Sequence, residues 1–186
     1  MVKMKLIKRL LKQQEINADL ELRRDKLYRV ACSWCHDNHL ADDLTQHTLV
    51  KALQSIGSLR NREMLDAWLF RILSNCWKDH LRAQRETIDI DAVSILAEET
   101  PEDQHHQSQI VIRIRQAIAA LPEKQRQVVT LVDLAELTYS EVSEALEIPI
   151  GTVMSRLCRA RQALRDSLVE FNHTQENTET RLRRVK

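Results

Sequence analysis

Apolar residues recur at helical spacing along nearly all of this chain, and the pattern is sharpest from Thr138 to Leu168. Thr138, followed three residues later by Glu141, marks a capping-box start. Val142, Ala145, Leu146 and Ile148 then form an apolar edge. Pro149 and Gly151 interrupt it, because proline lacks an amide donor and glycine loosens the backbone. The pattern resumes with Val153, Leu157, Ala160 and Leu164, the stripe of a second helix. Thr152, Ser155, Arg156, Arg159, Arg161 and Arg165 stand on its other faces, with no acidic residue before Asp166. Two helices across a tight turn, the second basic on its free side, suit the major groove of DNA. An ordinary helical hairpin with a solvated basic face has the same pattern, so the rest of the chain must decide.

Earlier segments repeat the helical period with different outer faces. Leu20 to Cys35 carries Leu20, Leu27, Val30, Ala31 and Trp34 near one side, and Asp37 and Asn38 end it. Leu40 to Ile56 follows, with Leu44, Thr48, Leu49, Ala52, Leu53 and Ile56 as its apolar side. Asp43, Gln46, His47, Val50 and Gln54 share another face of that helix. A short polar loop, GSLRNRE, spans residues 57–63. From Leu65 to Arg85, residues Leu65, Trp68, Leu69, Ile72, Cys76 and His80 point one way. Arg71, Asn75, Lys78, Arg82 and Arg85 take the opposite face, with Asp79 beside them. Trp68 and Trp77 offer aromatic surface nearby. Charge that tracks phosphates and rings that stack on bases together suit unpaired nucleic acid. The bland alternative is a core-packed tryptophan pair beside a solvated basic stripe.

Composition sharpens the fold class. Only 2 glycines and 3 prolines occur in 186 residues, which points to an all-α protein. The net charge of +1 gives no global nucleic-acid signal, so the sign must be sought locally. Lys3, Lys5, Lys8, Arg9 and Lys12 make a basic start, and Arg181, Arg183, Arg184 and Lys186 a basic end. Glu86 to Asp103 holds acidic residues and no basic one, and Pro101 breaks it. The expected layout is two small helical domains joined by a flexible acidic linker, the second domain containing the helix-turn-helix. Its boundaries are a basic extension over 1–19, a helical domain over 20–85, the linker over 86–109, a helix-turn-helix domain over 110–170 and a polar, mobile tail over 171–186. Helices at Ile110–Ala120 and Glu123–Leu134, hinged at Leu121 and Pro122, lead into the helix-turn-helix. No apolar run is long enough for membrane insertion, and the start reads as an amphipathic or frayed helix without the form of a signal peptide, so a cytoplasmic protein with reduced cysteines is expected.

One motif suggests other chemistry. Cys32 to His36 reads CSWCH, the spacing of a c-type haem attachment site, and with His39 it could be drawn as a zinc site. Haem attachment of that kind needs export, and no distal ligand pair follows at zinc spacing. Cysteine is also a small hydrophobe that packs well in helices. Core packing is therefore the expected role, redox or metal sensing the alternative, and no cofactor is expected. No nucleophile–base pair or phosphate-cradling glycine loop stands out, so the chain is not expected to be an enzyme.

In order and spacing, these segments resemble the extracytoplasmic-function class of bacterial RNA polymerase sigma factors, across roughly residues 25–168. LADDLTQHTLVKAL resembles that family's core-polymerase-binding helix and AWLFRILSNCWKDHLR its promoter-melting helix. LPEKQRQVVTLVDLAELTYSEVSEALEIPIGTVMSRLCRARQAL resembles its helix-turn-helix domain. The resemblance implies core RNA polymerase and promoter DNA as partners, and an anti-sigma factor as inhibitor. It assigns Asp43, Gln46, His47 and Val50 to the polymerase. It assigns Leu59, Arg60, Asn61, Arg62, Trp68, Arg71, Asn75, Lys78, Asp79 and Arg82 to the separated downstream strand. Thr152, Met154, Ser155, Cys158 and Arg159 would read the upstream element, with Arg156 clamping a phosphate. His47, Leu49, Glu147 and Met154 depart from the family's usual residues, Glu147 by standing where glycine is usual. An autonomous helix-turn-helix regulator would explain the carboxy-terminal half but leave the Arg71–Arg82 face and the acidic segment idle.

Overall fold

The computed structural model describes residues 2–59, 61–88 and 109–183. Seven α-helices make up almost all of them: α1 (Val2–Cys35), α2 (Asn38–Ser55), α3 (Leu65–Ile88), α4 (Gln109–Ala120), α5 (Glu123–Asp133), α6 (Tyr139–Leu146) and α7 (Ile150–Arg183). Short 3-10 turns at Ile56–Ser58 and Arg62–Met64 carry the chain from α2 to α3. No strand occurs among the described residues, in keeping with the all-α expectation.

Local chemistry explains where the helices begin. The Asp37 carboxylate accepts the Leu40 amide and caps α2, satisfying a donor that the first turn would leave free. Asn61 does the same for the Glu63 amide ahead of α3. At α6 the capping box is complete: Glu141 N–H donates to Thr138 Oγ1 at 3.3 Å, and Thr138 N–H donates to Glu141 Oε2 at 2.8 Å. The turn into α7 passes through Glu147, whose φ of 57° lies in the left-handed region that glycine adopts most easily.

Helices α1, α2 and α3 bury Leu27, Val30, Leu44, Leu69, Phe70 and Leu73 between them. Asp66 at the start of α3 receives Arg23 and also Lys26, the latter at 3.2 Å, both from α1. Burial alone pushes that carboxyl up, but the two cations outweigh it and hold it below the usual carboxylate range. Helices α5, α6 and α7 pack around Val128, Leu131, Val142, Ala145, Val153, Leu157 and Ala160. The two groups meet, α3 against α6 and α1 against α4 and α5, so the buried residues form one continuous cluster.

Four sequence expectations change. The amphipathic or frayed helix expected at the start and the helix expected from Leu20 are one unbroken helix, and Ile16 is already buried in the core. Helix α7 runs without a break past Phe171 to Arg183, where a mobile tail was expected. Leu53, assigned to the apolar side of α2, is 42% exposed. Trp77, expected as free aromatic surface, is buried. The acidic linker expected over 86–109 falls mostly on residues 89–108, outside the described residues.

Candidate polymerase and promoter interfaces

The middle of α2 presents the first surface. Asp43, Gln46, His47 and Val50 are all exposed, and Leu53 extends the patch by one turn. Opposite them Thr45 and Thr48 are fully buried and donate their hydroxyls to the carbonyls of Ala41 and Leu44, each at 2.7 Å. The helix is thereby fixed on its inner side, with a mixed polar and apolar strip left outward. Leu53 is the residue missed here; sequence spacing placed it with Leu49, but α2 turns it out beside Val50.

The second surface is α3. Arg71, Asn75, Lys78, Asp79 and Arg82 are exposed together, as the helical period requires. Asp79 lies 3.6 Å from Arg82 and 3.6 Å from Lys51 of α2, so the row is continuous with the neighbouring helix. An open cleft of about 350 Å³ separates them, lined by Lys51, Gln54, Ser55, Ile72 and Asn75. Sequence reading named Asn75, and placed Gln54 on the outer face of α2, but did not bring Lys51 and Ser55 to the same place. Trp68 is half-buried against the core. In the preceding loop, Leu59 packs partly on the core and Asn61 serves as a cap. Arg62 pairs with Asp19 at 3.4 Å and Glu15 at 3.7 Å, both on α1. Arg60 lies outside the described residues. Trp77 does not join this surface, because its indole N–H donates to Glu123 Oε1 of α5 at 3.2 Å.

The third surface is the first half of α7. Met154, Cys158 and Arg159 are exposed, while Thr152, Ser155 and Arg156 are partly buried at the edge of the core. Ser155 Oγ donates to the Thr152 carbonyl at 3.1 Å, which leaves that hydroxyl's acceptor side free. Arg161 is held by Asp133 of α5 at 2.7 Å. Ile150, one turn before Met154, is 42% exposed and was absent from the sequence assignment. Its place beside Pro149 made it read as turn rather than helix.

The CSWCH motif closes α1. Burial pushes the Cys35 thiol up to about 11, against a weaker hydrogen bond to the Asp37 carbonyl. Cys32 is raised for the same reason, with Tyr28 and Arg115 opposing. Both thiols therefore stay protonated near neutral pH, the reverse of a reactive or metal-ligating thiolate. Among the described residues no three His, Cys, Asp or Glu side chains gather to hold a metal ion. Nor is any described helix long and apolar enough to cross a membrane.

These surfaces fall on segments with known relatives. Residues 20–87 match the family model for sigma-70 region 2, and residues 112–164 match the model for sigma-70 region 4. The chain is 32% identical over 181 residues to the ECF RNA polymerase sigma factor SigW of Bacillus subtilis, covering 88% of this chain and 97% of that protein. It is also 32% identical over 161 residues to SigE of Mycolicibacterium smegmatis, covering 84% of this chain but 62% of that longer protein. A solved structure of the sigma factor RpoE from Bartonella quintana, in complex with the anti-sigma factor NepR, superposes with a TM-score of 0.75 at 29% identity. That match covers 83% of this chain and 97% of the Bartonella chain. An autonomous helix-turn-helix regulator would not account for the region 2 match. With both regions matched in order and a relative aligned over nearly its whole length, the chain belongs to the ECF family of RNA polymerase sigma factors, which are transcription initiation factors.

Proposed function

We propose that three faces of this sigma factor divide its work. The strip Asp43, Gln46, His47, Val50 and Leu53 on α2 docks on core RNA polymerase. Its mixed polar and apolar character is what a protein surface takes, and it lacks the cationic excess that DNA needs. The α3 row of Arg71, Asn75, Lys78, Asp79 and Arg82, with Trp68 and the loop at Leu59, Arg60, Asn61 and Arg62, holds the separated downstream strand. Cations track the phosphates there, and the cleft beside Asn75 offers an unstacked base a partly polar seat. The chemistry of RNA synthesis belongs to the polymerase, and the chain acts in the cytoplasm where that enzyme works.

On α7, Arg159 and Cys158 face outward to read the upstream element in the major groove, and Thr152 and Ser155 flank them. Arg156, at the core's edge, clamps a phosphate and carries no sequence information. Met154 is 50% exposed and apolar, and with Ile150 it fits thymine methyl groups better than any hydrogen-bonding edge. The observation that carries the whole reading is the separate exposure of three chemically different faces on helices matched to regions 2 and 4. An anti-sigma factor, as in the Bartonella complex, is the proposed inhibitor.

Transcription from candidate promoters by purified core polymerase, with and without this chain, tests the proposal. Transcripts that depend on the chain and fall with Asp43→Ala, Val50→Ala are expected. Promoter binding without polymerase and no chain-dependent transcript would overturn it.

A further inference from the structure

Helix α1 carries two apolar stripes, and they run along opposite sides. From Ile16 onward the stripe belongs to the core: Ile16, Leu20, Leu27, Val30, Ala31 and Trp34 are all buried. Upstream, the same register holds cations, with Lys12, Arg9 and Lys5 one, two and three turns before Ile16. The apolar positions of this first part, Met4, Ile7 and Leu11, align instead with Ala18 and Leu22. Both of those are exposed, and Leu22, at 80%, is the most exposed large hydrophobic residue among the described side chains. Leu6 and Leu10 widen the early stripe on one side. Because α1 is one helix from Val2 to Cys35, the register carries straight through. The first turns are therefore not patterned to extend the core.

Charge changes at the same place. Lys3, Lys5, Lys8, Arg9 and Lys12 precede any acidic residue, and the first of those, Glu15, pairs with Arg62 at 3.7 Å. A helical segment of about 20 Å thus sets large apolar residues on one face and a single sign of charge on the other. Duplex DNA suits it poorly, since the apolar half would stay in water while the cations tracked phosphates. A protein groove would favour arginine, whose planar fork pairs with carboxylates, over lysine. Four of the five cations are lysines, flexible point charges that reach toward a diffuse negative surface. An anionic phospholipid layer uses both halves: the apolar face sinks below the headgroups and the lysines stay among them.

We propose that residues 2–14 of α1 are a docking helix for an anionic phospholipid surface. The helix lies on that surface and does not cross it, because no described helix is long and apolar enough to span a membrane. The core stripe is on the opposite side of α1, so the folded body stands on the water side of the docked helix. Glu21 and Asp25 flank Leu22, so the contact ends before that residue, whose exposure marks the side. The match to sigma-70 region 2 begins at residue 20, so the device lies outside the segment shared with that family model.

The test is flotation of the full chain with vesicles of phosphatidylglycerol and phosphatidylcholine in equal parts, against phosphatidylcholine alone. The wild type should float with the mixed vesicles only, and should be released when salt shortens the Debye length to about 3 Å. Replacing three cations together (Lys5→Gln, Lys8→Gln, Lys12→Gln) should lower the partition coefficient by about a hundredfold. Breaking the stripe with Ile7→Gln, Leu11→Gln should lower it by about tenfold or more, with helical circular dichroism and the unfolding midpoint unchanged. A wild type that ignores mixed vesicles, or binds phosphatidylcholine equally, would overturn the proposal. So would stripe variants that float like the wild type, or binding abolished by Arg71→Gln, Arg82→Gln on α3 alone. Loss of unrelated duplex binding in the triple-lysine variant, with flotation intact, would assign the cations to DNA and also overturn it.

Discussion

Helices α3 and α7 are both long, basic on one side and apolar on the other, yet they end in opposite situations. The outer row of α3 is wholly charged or amide, and the helix is flanked by α6, with Arg71 and Trp77 already engaged. The outer row of α7 begins with Ile150 and Met154, and its arginines come later, one of them held by Asp133. A surface that must seize flexible single-stranded DNA needs many cations and a place for bases. A surface that reads an intact groove needs shape and a few directed groups. On the division of work proposed above, the difference between the two helices is one of substrate, duplex against strand, and not of degree.

The largest expected effect separates the halves by stability. Leu131 is fully buried in the region 4 core, and Leu131→Ala should cost about 2–5 kcal/mol. Urea unfolding followed by amide exchange should show α5, α6 and α7 loosening first while α2 and α3 keep their protection. Equal loss of protection in both halves would mean that they fold as one cooperative unit. Next in size, Arg159→Ala should weaken upstream-element binding by the holoenzyme by about 1–3 kcal/mol if its contact is bidentate to a base. Equal losses on specific and scrambled duplex would reassign it to a phosphate.

Glu147 sharpens the comparison at the place where the two helices communicate. Its left-handed backbone is strained for any side chain, so Glu147→Gly should stabilise the turn by about 1 kcal/mol. The same change removes its exposed ion pair to Arg71, a loss of little weight in stability. Thermal unfolding of the region 4 half should therefore move upward; a decrease would show that the Arg71 pair outweighs the strain. Smallest is the effect at Met154. Replacing promoter thymines by uracil removes methyl groups, and Met154→Ala removes their partner, each at about 0.8 kcal/mol per methyl-sized contact. Binding losses that fail to add, measured by titration, would mark the contact, and fully additive losses would remove it.

How much was legible differs between the same two regions. The helix-turn-helix could be read because its signals are local: the Thr138–Glu141 cap, the break at Pro149 and the stripe from Val153 to Leu164 all act within a few residues. The α3 face was equally legible as a row, since periodicity alone puts Arg71, Asn75, Lys78 and Arg82 together. What could not be read depends on partners far away in sequence. Trp77 reads as free until Glu123 is placed against it, and Trp34 reads as an ordinary core residue until Thr130 arrives, 96 residues later. The start of α1 was legible as helix but not as core for a related reason: Ile16 gains its burial from tertiary packing and not from the basic, weakly amphipathic sequence around it.

The most direct measurement is permanganate reactivity of promoter thymines alongside duplex capture, using holoenzyme at saturating concentration. Asn75→Ala and Arg82→Ala on α3 should lower strand opening by about tenfold, roughly one charge-assisted contact, while leaving duplex capture near wild type. Arg159→Ala on α7 should lower capture, with normal reactivity once the complex is forced to form. If the α3 variants open the promoter normally, or if the α7 variant captures duplex normally and fails only in opening, the assignment of strand to α3 and duplex to α7 is wrong.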